Sequence, residues 1–282
     1  GINDGKIILN GGTAGKVNVE NTLYAKDITA SGNNVDVTGK TTIGDSHMFI
    51  DTPHLTLDGS IYNGINLALD AGQLTGTATD ISVTSNGASL QEAINLAGNG
   101  ATVNVGTGGY IGGGDYVENL TIDKSLILQG QAGAHLYGAV TADNVTINGF
   151  DIDGRNVPLI GPLSQMMRSP WSPTPFSSYG VVATGVTGLT LANNTLHDTT
   201  TAGMKIENSS DVTLNQNQFL NNPMGLDATA VNNGNITLSG NTFTDNTTGA
   251  SFGSGLINLT GFANGFNGGD NALLFQNAGT AL

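Results

Sequence analysis

The chain has 282 residues, 42 of them glycine, with 38% hydrophobic and 11% charged residues, no cysteine and a net charge of −14. With 22 acidic against 8 basic side chains, it has no basic stripe to neutralise phosphates, which excludes a nucleic-acid partner. The absence of cysteine excludes disulfides and thiolate metal sites, and no apolar run reaches the ~18 residues of a spanning helix, so no membrane insertion by this segment is expected.

The chain opens at "GINDGKIILN", with neither a basic nor an apolar leader region, so a signal peptide is expected to lie outside it. Residues 1–86 then read as short strands separated by turn residues: "GKIILNGG", "GKVNVENT", "NVDVTGKTTIG" and "HLTLDGS". Their repeats are less regular than those further on, and they read as more of the same strand-and-turn pattern.

One helix is expected, at residues 89–97. In "SLQEAINLAG" Ser89 stands as N-cap with Glu92 three residues on, a reciprocal capping box. Leu90, Ala93, Ile94 and Ala97 share one face, and Gly98 supplies the stop. A helix of this kind lids the open end of a stack of strands, whose edges otherwise recruit other chains. A boundary is placed near Gly87, dividing less regular coils at 1–86 from 87–282.

From there the chain repeats itself. "GLTLANNTLHD", "DVTLNQNQFLNN" and "NITLSGNTFTDN" align Leu191, Leu214 and Leu238 at spacings of 23 and 24 residues, and Ile122 and Ile147 lie 25 apart. Periods of this size mark solenoids. Around Met204 one repeat holds three strand-like pieces, "GMKIEN", "DVTLNQN" and "QFLNN", with no helical period. The fold class is therefore all-β: a right-handed parallel β-helix solenoid with three short strands per coil and one short capping-type helix. Asn194, Asn217 and Asn241 fall at successive corners, where asparagine accepts left-handed backbone geometry and stacked amides form a ladder. Leu196, Phe219 and Phe243 follow two residues later and are expected to stack inside. Val181, Met204, Leu226 and Ala250 are expected to form a second buried row.

The repeat is interrupted once. Ile147 and Leu191 are 44 residues apart, against about 24 for one coil. The excursion, 155–179, contains five of the seven prolines, the only tryptophan (Trp171) and both arginines, Arg155 and Arg168. Proline cannot donate to a strand ladder, so this segment leaves the sheets. Trp, Tyr and Arg are favoured at binding hot spots. Arg168, Trp171 and Tyr179, near Asp153 and His197, are the expected ligand-binding residues. Coil alignment places Asp153, His197, Leu220 and Thr244 on one exterior row and stacks Lys205 beside Asp227, with Glu207 two residues away. Carboxylates beside a histidine can perform acid–base work on a polysaccharide; charge pairing on a solvated face gives the same pattern. His47, His54 and His135 have no metal-ligand spacing. Eighteen of the 22 acidic residues are Asp, which suits turns; calcium is conceivable on such a surface, but no motif supports it. No cofactor and no metal is expected. Sequons such as those at Asn193, Asn208 and Asn235 arise because Thr or Ser follows the turn asparagines.

"GKVNVENTLYAKDITASGNNVDVTGKTTIG" resembles the Gly/Asn/Thr-rich coils of filamentous-haemagglutinin-type exoproteins, large secreted bacterial adhesins. "SLQEAINLAGNGATVNVGTGGY" through "ENLTIDKSLILQGQ" resembles the start of the pectin-lyase-like right-handed β-helix superfamily, and "LTLANN", "VTLNQN" and "ITLSGN" match its short repeats. "GGYIGGGDYVENLTI" is similar to an early motif of pectin methylesterases, but that family's Gln-Asp-Thr-Leu and Asp-Phe-Ile-Phe-Gly segments are absent here. The first resemblance implies a secreted or cell-surface adhesin-like segment: a rigid scaffold presenting a binding loop to a glycan or to a host- or neighbour-cell surface protein, with no catalytic residue, continuing into further β-helix of a longer parent chain. The second leaves open a polysaccharide-active enzyme, lyase or glycosidase. A phage tailspike-like module is the third alternative.

Overall fold

Alternation sets the walls. In a computed structural model, "NVDVT" and "HLTLD" form strands Asn34–Thr38 and His54–Asp58, burying Val35, Val37, Leu55 and Leu57 while the residues between them face outward, as a period of two dictates. The structure describes residues 6–19, 23, 27–38, 41–43, 47–59, 61–62, 74–84, 89–106, 119–131, 137–154, 178–231, 234–253 and 257–275. These fall into two compact units, one of 6–106 with 126–131, the other of 119–125 with 137–275. The boundary expected near Gly87 lies outside the described residues.

In the first unit, strands Lys6–Asn10, Asp27–Ser31, His47–Asp51 and Leu74–Gly76 make one parallel sheet. Lys16–Val19, Asn34–Thr38, His54–Asp58, Ala78–Val83, Ala97–Val105 and Leu126–Gly130 make a second. Thr41–Thr42 pairs with Ile61–Tyr62 in a third. Val17, Val35, Leu55, Ile81, Val103 and Leu128 stand in register and are all buried. Identical side-chain chemistry thus stacks on itself along the strands.

Helix α1, Leu90–Leu96, begins at Ser89, whose side chain accepts the Glu92 N–H at 3.4 Å. It packs against Leu74–Gly76, the edge strand of the four-stranded sheet, and against Ala78–Val83 and Ala97–Val105. It therefore covers one sheet edge while the neighbouring sheet continues past it, which refines the expected lid. Its first turn bonds into the interior, and its stop lies at Ala97 where Gly98 was expected. The Glu92 carboxylate, only 2% exposed, accepts the Ile61 N–H at 3.1 and 3.0 Å, so it bonds into the unit's interior. The stop is Ala97, extended at φ −66 and ψ 137; the chain passes straight into a strand. Gly98 serves that strand by size, since a Cβ there would stand 2.9 Å from the Thr77 carbonyl oxygen.

In the second unit the chain visits three faces in turn. The first face holds Thr146–Asn148, Thr190–Ala192, Val212–Asn215, Gly234–Ser239 and Ile257–Phe262. The second holds Asp151–Asp153, Thr195–His197, Gln218–Leu220, Thr242–Thr244 and Gly265–Asn267. The third holds Asn119–Ile122, Tyr137–Val140, Tyr179–Thr184, Ala202–Glu207, Met224–Ala230, Thr248–Phe252 and Asn271–Phe275. Every strand pair among the described residues is parallel. Three strands per coil, stacked in parallel, is the solenoid the repeat implies.

The interior rows match their expected members. Leu196, Phe219 and Phe243 are buried in one register row, and Val181, Met204, Leu226 and Ala250 in another. The Phe219 and Phe243 rings stack at 4.7 Å and 4°. Glycines on the third face make the room: a Cβ on Gly225 would lie 2.6 Å from Phe243 Cδ1 and 2.5 Å from the Gly249 oxygen. Gly203 and Gly249 stand against Phe219 and Phe266 in the same manner.

Asn194, Asn217 and Asn241 form the expected ladder. The backbone N–H and Nδ2 of Asn194 both donate to Asn217 Oδ1 at 3.0 Å, and those of Asn217 to Asn241 Oδ1 at 2.9 and 3.1 Å. The left-handed backbone, however, belongs to the residue before each: Asn193 (φ 55), Gln216 (φ 55) and Gly240 (φ 64). The ladder asparagines are selected for their amides alone.

Candidate functional site

The last described residues before the excursion, 151–154, form a charged corner of the second unit. Strand Asp151–Asp153 buries Ile152 and turns both aspartates outward. In the next coil Thr195–His197 does the same with Leu196, and the pairing sets Asp153 against His197. That outward row continues through Leu220 to Thr244, as coil alignment predicts. Asp198 follows at φ 55, the left-handed corner position also held by Asn221 (φ 57) and Asp245 (φ 54), where Asp and Asn are the tolerated residues.

His197 sits between three carboxylates. Its Nε2 lies 2.7 Å from Asp151 Oδ1 and its Nδ1 2.7 Å from Asp198 Oδ2, while Asp153 Oδ1 is 3.8 Å from Nδ1. The hydrogen bond to Asp151 is the largest influence on the imidazole, followed by desolvation, which opposes it, and by the bond to Asp198; together these push its pKa up to about 9. At neutral pH His197 is thus an imidazolium donating from both nitrogens. Asp153 is only 8% exposed although it lies on an outward row. Asp198 also accepts from Asn221 Nδ2 at 3.1 Å, fixing its carboxylate between two coils.

Asp153, His197 and Asp198 could together offer three ligand atoms within 4.8 Å of one another to a cation. A metal takes neutral imidazole, so it has to displace a proton that the carboxylates hold firmly. The donor set fits a bound proton better than a metal ion.

The excursion rejoins the coils in register. Gly154 N–H donates to the His197 oxygen at 2.8 Å on the way out, and Thr201 and Ala202 donate to the Ser178 oxygen at 3.0 and 3.1 Å on the return. Tyr179 opens the returning strand, paired with Ala202. Beside it on the third face, Lys205 Nζ stands 5.1 Å from the Tyr179 ring centroid. Lys205 pairs with Glu207, whose Oε2 also accepts the Thr184 hydroxyl at 3.3 Å; this contact holds the Lys205 pKa above its usual value and that of Glu207 below. Asp227 is the register neighbour of Lys205, but its Oδ1 accepts the Thr229 N–H and hydroxyl at 3.1 and 2.6 Å. Stacking put the two side by side; local turn chemistry took the carboxylate.

Of the residues expected from the sequence, the structure brings Asp153 and His197 together and places Tyr179 where the excursion ends. Arg168 and Trp171, with the rest of 155–177, lie outside the described residues. Asp151 and Asp198, which make the shortest contacts to His197, are not singled out by coil alignment. The alternation in "DID" and the adjacency in "HD" were the available signals. An open groove of about 430 Å³ in the first unit, lined among others by Asn10, Ser31, Asn33 and Asp51, has no aromatic or basic lining residue among the described residues. His47 bonds Thr75 and His54 faces Asp80, each a pairing between neighbouring coils.

The A-module of the mannuronan C-5 epimerase AlgE4 from Azotobacter vinelandii is similar in structure over 95% of this chain and 88% of that chain, at 14% sequence identity and a TM-score of 0.43. No curated protein matches the chain significantly. The family described as "Right handed beta helix region" matches residues 79–268. With its parallel strands and three-faced coils, the chain belongs to the right-handed β-helix family.

Proposed function

We propose that the chain is a rigid β-helical scaffold in a secreted or cell-surface, adhesin-like exoprotein, binding a glycan or a host- or neighbour-cell surface protein beside the 155–179 excursion. The observation that carries this reading is the geometry at His197, whose two ring nitrogens are each held at 2.7 Å by a carboxylate, Asp151 on one side and Asp198 on the other. Held as an imidazolium with a pKa of about 9 between Asp151 and Asp198, it is protonated at neutral pH, where a general base has to be free. Both of its nitrogens are engaged, so the group serves to fix the corner and its charges. Tyr179 and Lys205 stand on the adjoining face, side-chain types that recognition surfaces use as anchors and steering charges. The surface-exposed setting rests on the sequence resemblance of residues 15–44 to the coils of haemagglutinin-type exoproteins.

Attachment of the full chain to glycan arrays and to cells tests this. The deletion of 158–176 and the His197→Ala variant are each expected to lose attachment by about tenfold or more, the cost of one to two kcal/mol of contact, with the coils still folded by circular dichroism. Undiminished attachment in both variants sinks the proposal.

One observation favours a second reading, a polysaccharide lyase or glycosidase. Asp153 lies on an outward row yet is only 8% exposed, with the His197 ring 3.8 Å away, and a carboxylate beside an imidazole is the pairing that acid–base chemistry uses. Release of new reducing ends or unsaturated products from a neutral or acidic polysaccharide, abolished by Asp153→Asn, replaces the binding reading with this one.

A further inference from the structure

We propose that the polar groove of the first unit is a binding site for a neutral saccharide. It uses neither the 155–179 excursion nor His197, so it stands or falls apart from the proposed function.

The groove follows from where three strands end. Lys6–Asn10, Asp27–Ser31 and His47–Asp51 stop in register, so Asn10, Ser31 and Asp51 stand side by side on successive coils. The corners that follow the first two strands are built on glycine. Asn10 Oδ1 accepts the Gly12 N–H at 2.8 Å, and Gly12 turns at φ 69 with open space where a Cβ would stand. At Gly32 a Cβ would meet the Gly15 oxygen at 3.1 Å. Corners without side chains, next to Pro53 of the third coil, leave the open groove of about 430 Å³.

What marks the groove as a site is hydrogen-bonding capacity that the fold does not use. The corner's backbone is tied down: the Asn33 N–H donates to the Gly15 oxygen at 3.0 Å, and the Thr52 hydroxyl lies 3.2 and 2.9 Å from the Asn33 and His54 oxygens. The side chains facing the groove are not. Asp51 gives one oxygen, Oδ1, to the Thr77 hydroxyl at 2.8 Å. Its Oδ2, the hydroxyl of half-buried Ser31 and the amide of half-buried Asn33 have no hydrogen-bond partner among the described residues. In the second unit the corner asparagines tie their amides into the ladder; Asn33 keeps its own for something else.

The chemistry of these groups selects the ligand. Asn33 offers two donors and an acceptor, Ser31 one donor with acceptor capacity, and Asp51 acceptors only. Neighbouring sugar hydroxyls, each both donor and acceptor, match such a set. The Pro53 ring and the bare Gly12 and Gly32 carbons supply a small apolar surface for the C–H side of a sugar ring. A carboxylate in a lining without a basic residue repels an anionic sugar, so the saccharide is neutral. The volume suits a small organic ligand rather than an ion, and one carboxylate is a poor match for calcium, which takes about six to eight oxygens.

The test titrates the full, isotope-labelled chain with neutral gluco-, manno- and galacto-oligosaccharides, with oligogalacturonate and with calcium, each to millimolar concentration, and follows the amide signals of Gly12, Asn33 and Asp51. At least one neutral oligosaccharide is expected to shift them saturably, and oligogalacturonate to bind about tenfold more weakly or not at all. Ser31→Ala combined with Asn33→Ala is expected to weaken the neutral sugar about tenfold or more, as the loss of its hydrogen-bond partners implies, with thermal unfolding unchanged because neither side chain bonds the fold. His197→Ala is expected to leave these shifts as they are, whatever it does to attachment. The proposal is overturned if no neutral oligosaccharide moves the groove amides, or if the double variant binds like the wild type. Saturable shifts of the same amides by calcium alone overturn it too, because the groove is then a cation site.

Discussion

The second unit has two asparagine-lined corners, and they do not end alike. At the corner between the first and second faces, the ladder runs from the Phe150 N–H, which donates to Asn194 Oδ1, through Asn217 and Asn241 to Asn264. At the corner between the second and third faces, Asn246 and Asn222 make the same rungs, and Asn222 Oδ1 then receives the N–H and hydroxyl of Thr199 at 3.1 and 2.8 Å. One coil further on, Asp153 and Gly154 lead into the excursion. The unbroken corner is a scaffold. The broken one gathers Asp151, Asp153, His197 and Asp198, because a coil that departs from the repeat is free to carry side chains that the ladder has no place for.

The largest effect should come from Phe219, which ties the two corners together. Its ring stacks on Phe243, its oxygen accepts from Asn246 Nδ2 at 2.8 Å, and it follows Asn217 by two residues. Phe219→Ala should destabilise the chain by about 3–5 kcal/mol, as other buried aromatic truncations do, read by denaturant unfolding. A near-neutral change shows that the two corners do not share one core.

Next come the asparagines themselves. Asn217→Ala strips the acceptor from the buried Asn194 N–H, and such an orphaned group costs about 1–3 kcal/mol. Asn222→Ala at the broken corner should cost less than Asn217→Ala, since Thr199 is the first rung there and stands against Gly154, the last described residue before the excursion. Equal losses remove the distinction between the corners.

How far the sequence foretells all this also divides along the two corners. Asn194, Asn217 and Asn241 are visible as a repeat because the same residue type recurs at one coil's spacing and the same hydrogen bonds follow. The second ladder, Asn222 and Asn246, does not stand out as a repeat, since only one coil-to-coil step of asparagine is present before Thr199 replaces it. The left-handed residues escaped because no single type marks them: Asn193, Gln216 and Gly240 share a backbone angle and no side-chain chemistry. At the broken corner, Asp153 and His197 were legible by register alone. Asp151 and Asp198 were not, because which of several outward carboxylates reaches the imidazole depends on side-chain geometry that no spacing encodes.

A loss of similar size is expected at Gly225, whose added Cβ meets Phe243 Cδ1 at 2.6 Å and the Gly249 oxygen at 2.5 Å. Gly225→Ala should cost about 1–3 kcal/mol by overpacking. A paired Phe243→Leu change should recover part of it if the ring is the obstacle, and recovery of nothing points to the backbone contact instead.

The smallest effect is the one confined to the broken corner, and it depends on pH. The His197 pKa is raised from 6.5 to about 9, chiefly by the Asp151 hydrogen bond. A group whose folded pKa lies above its unfolded one stabilises the protein fully below the unfolded value, and loses that contribution as pH rises through the folded value. The contribution should therefore be intact at pH 6 and decline from about 6.5 until it is gone above about 9. Thermal unfolding of the wild type against His197→Gln isolates it, because Gln keeps a donor near Asp151 but has no proton to lose in that range. The wild-type advantage should shrink across this window, while the difference between Asn217→Ala and the wild type stays flat, since no titrating group belongs to the amide ladder. A wild-type advantage that is constant from pH 6 to pH 10 means that the carboxylates do not hold the imidazolium. The case against His197 as a neutral-pH base then falls with it.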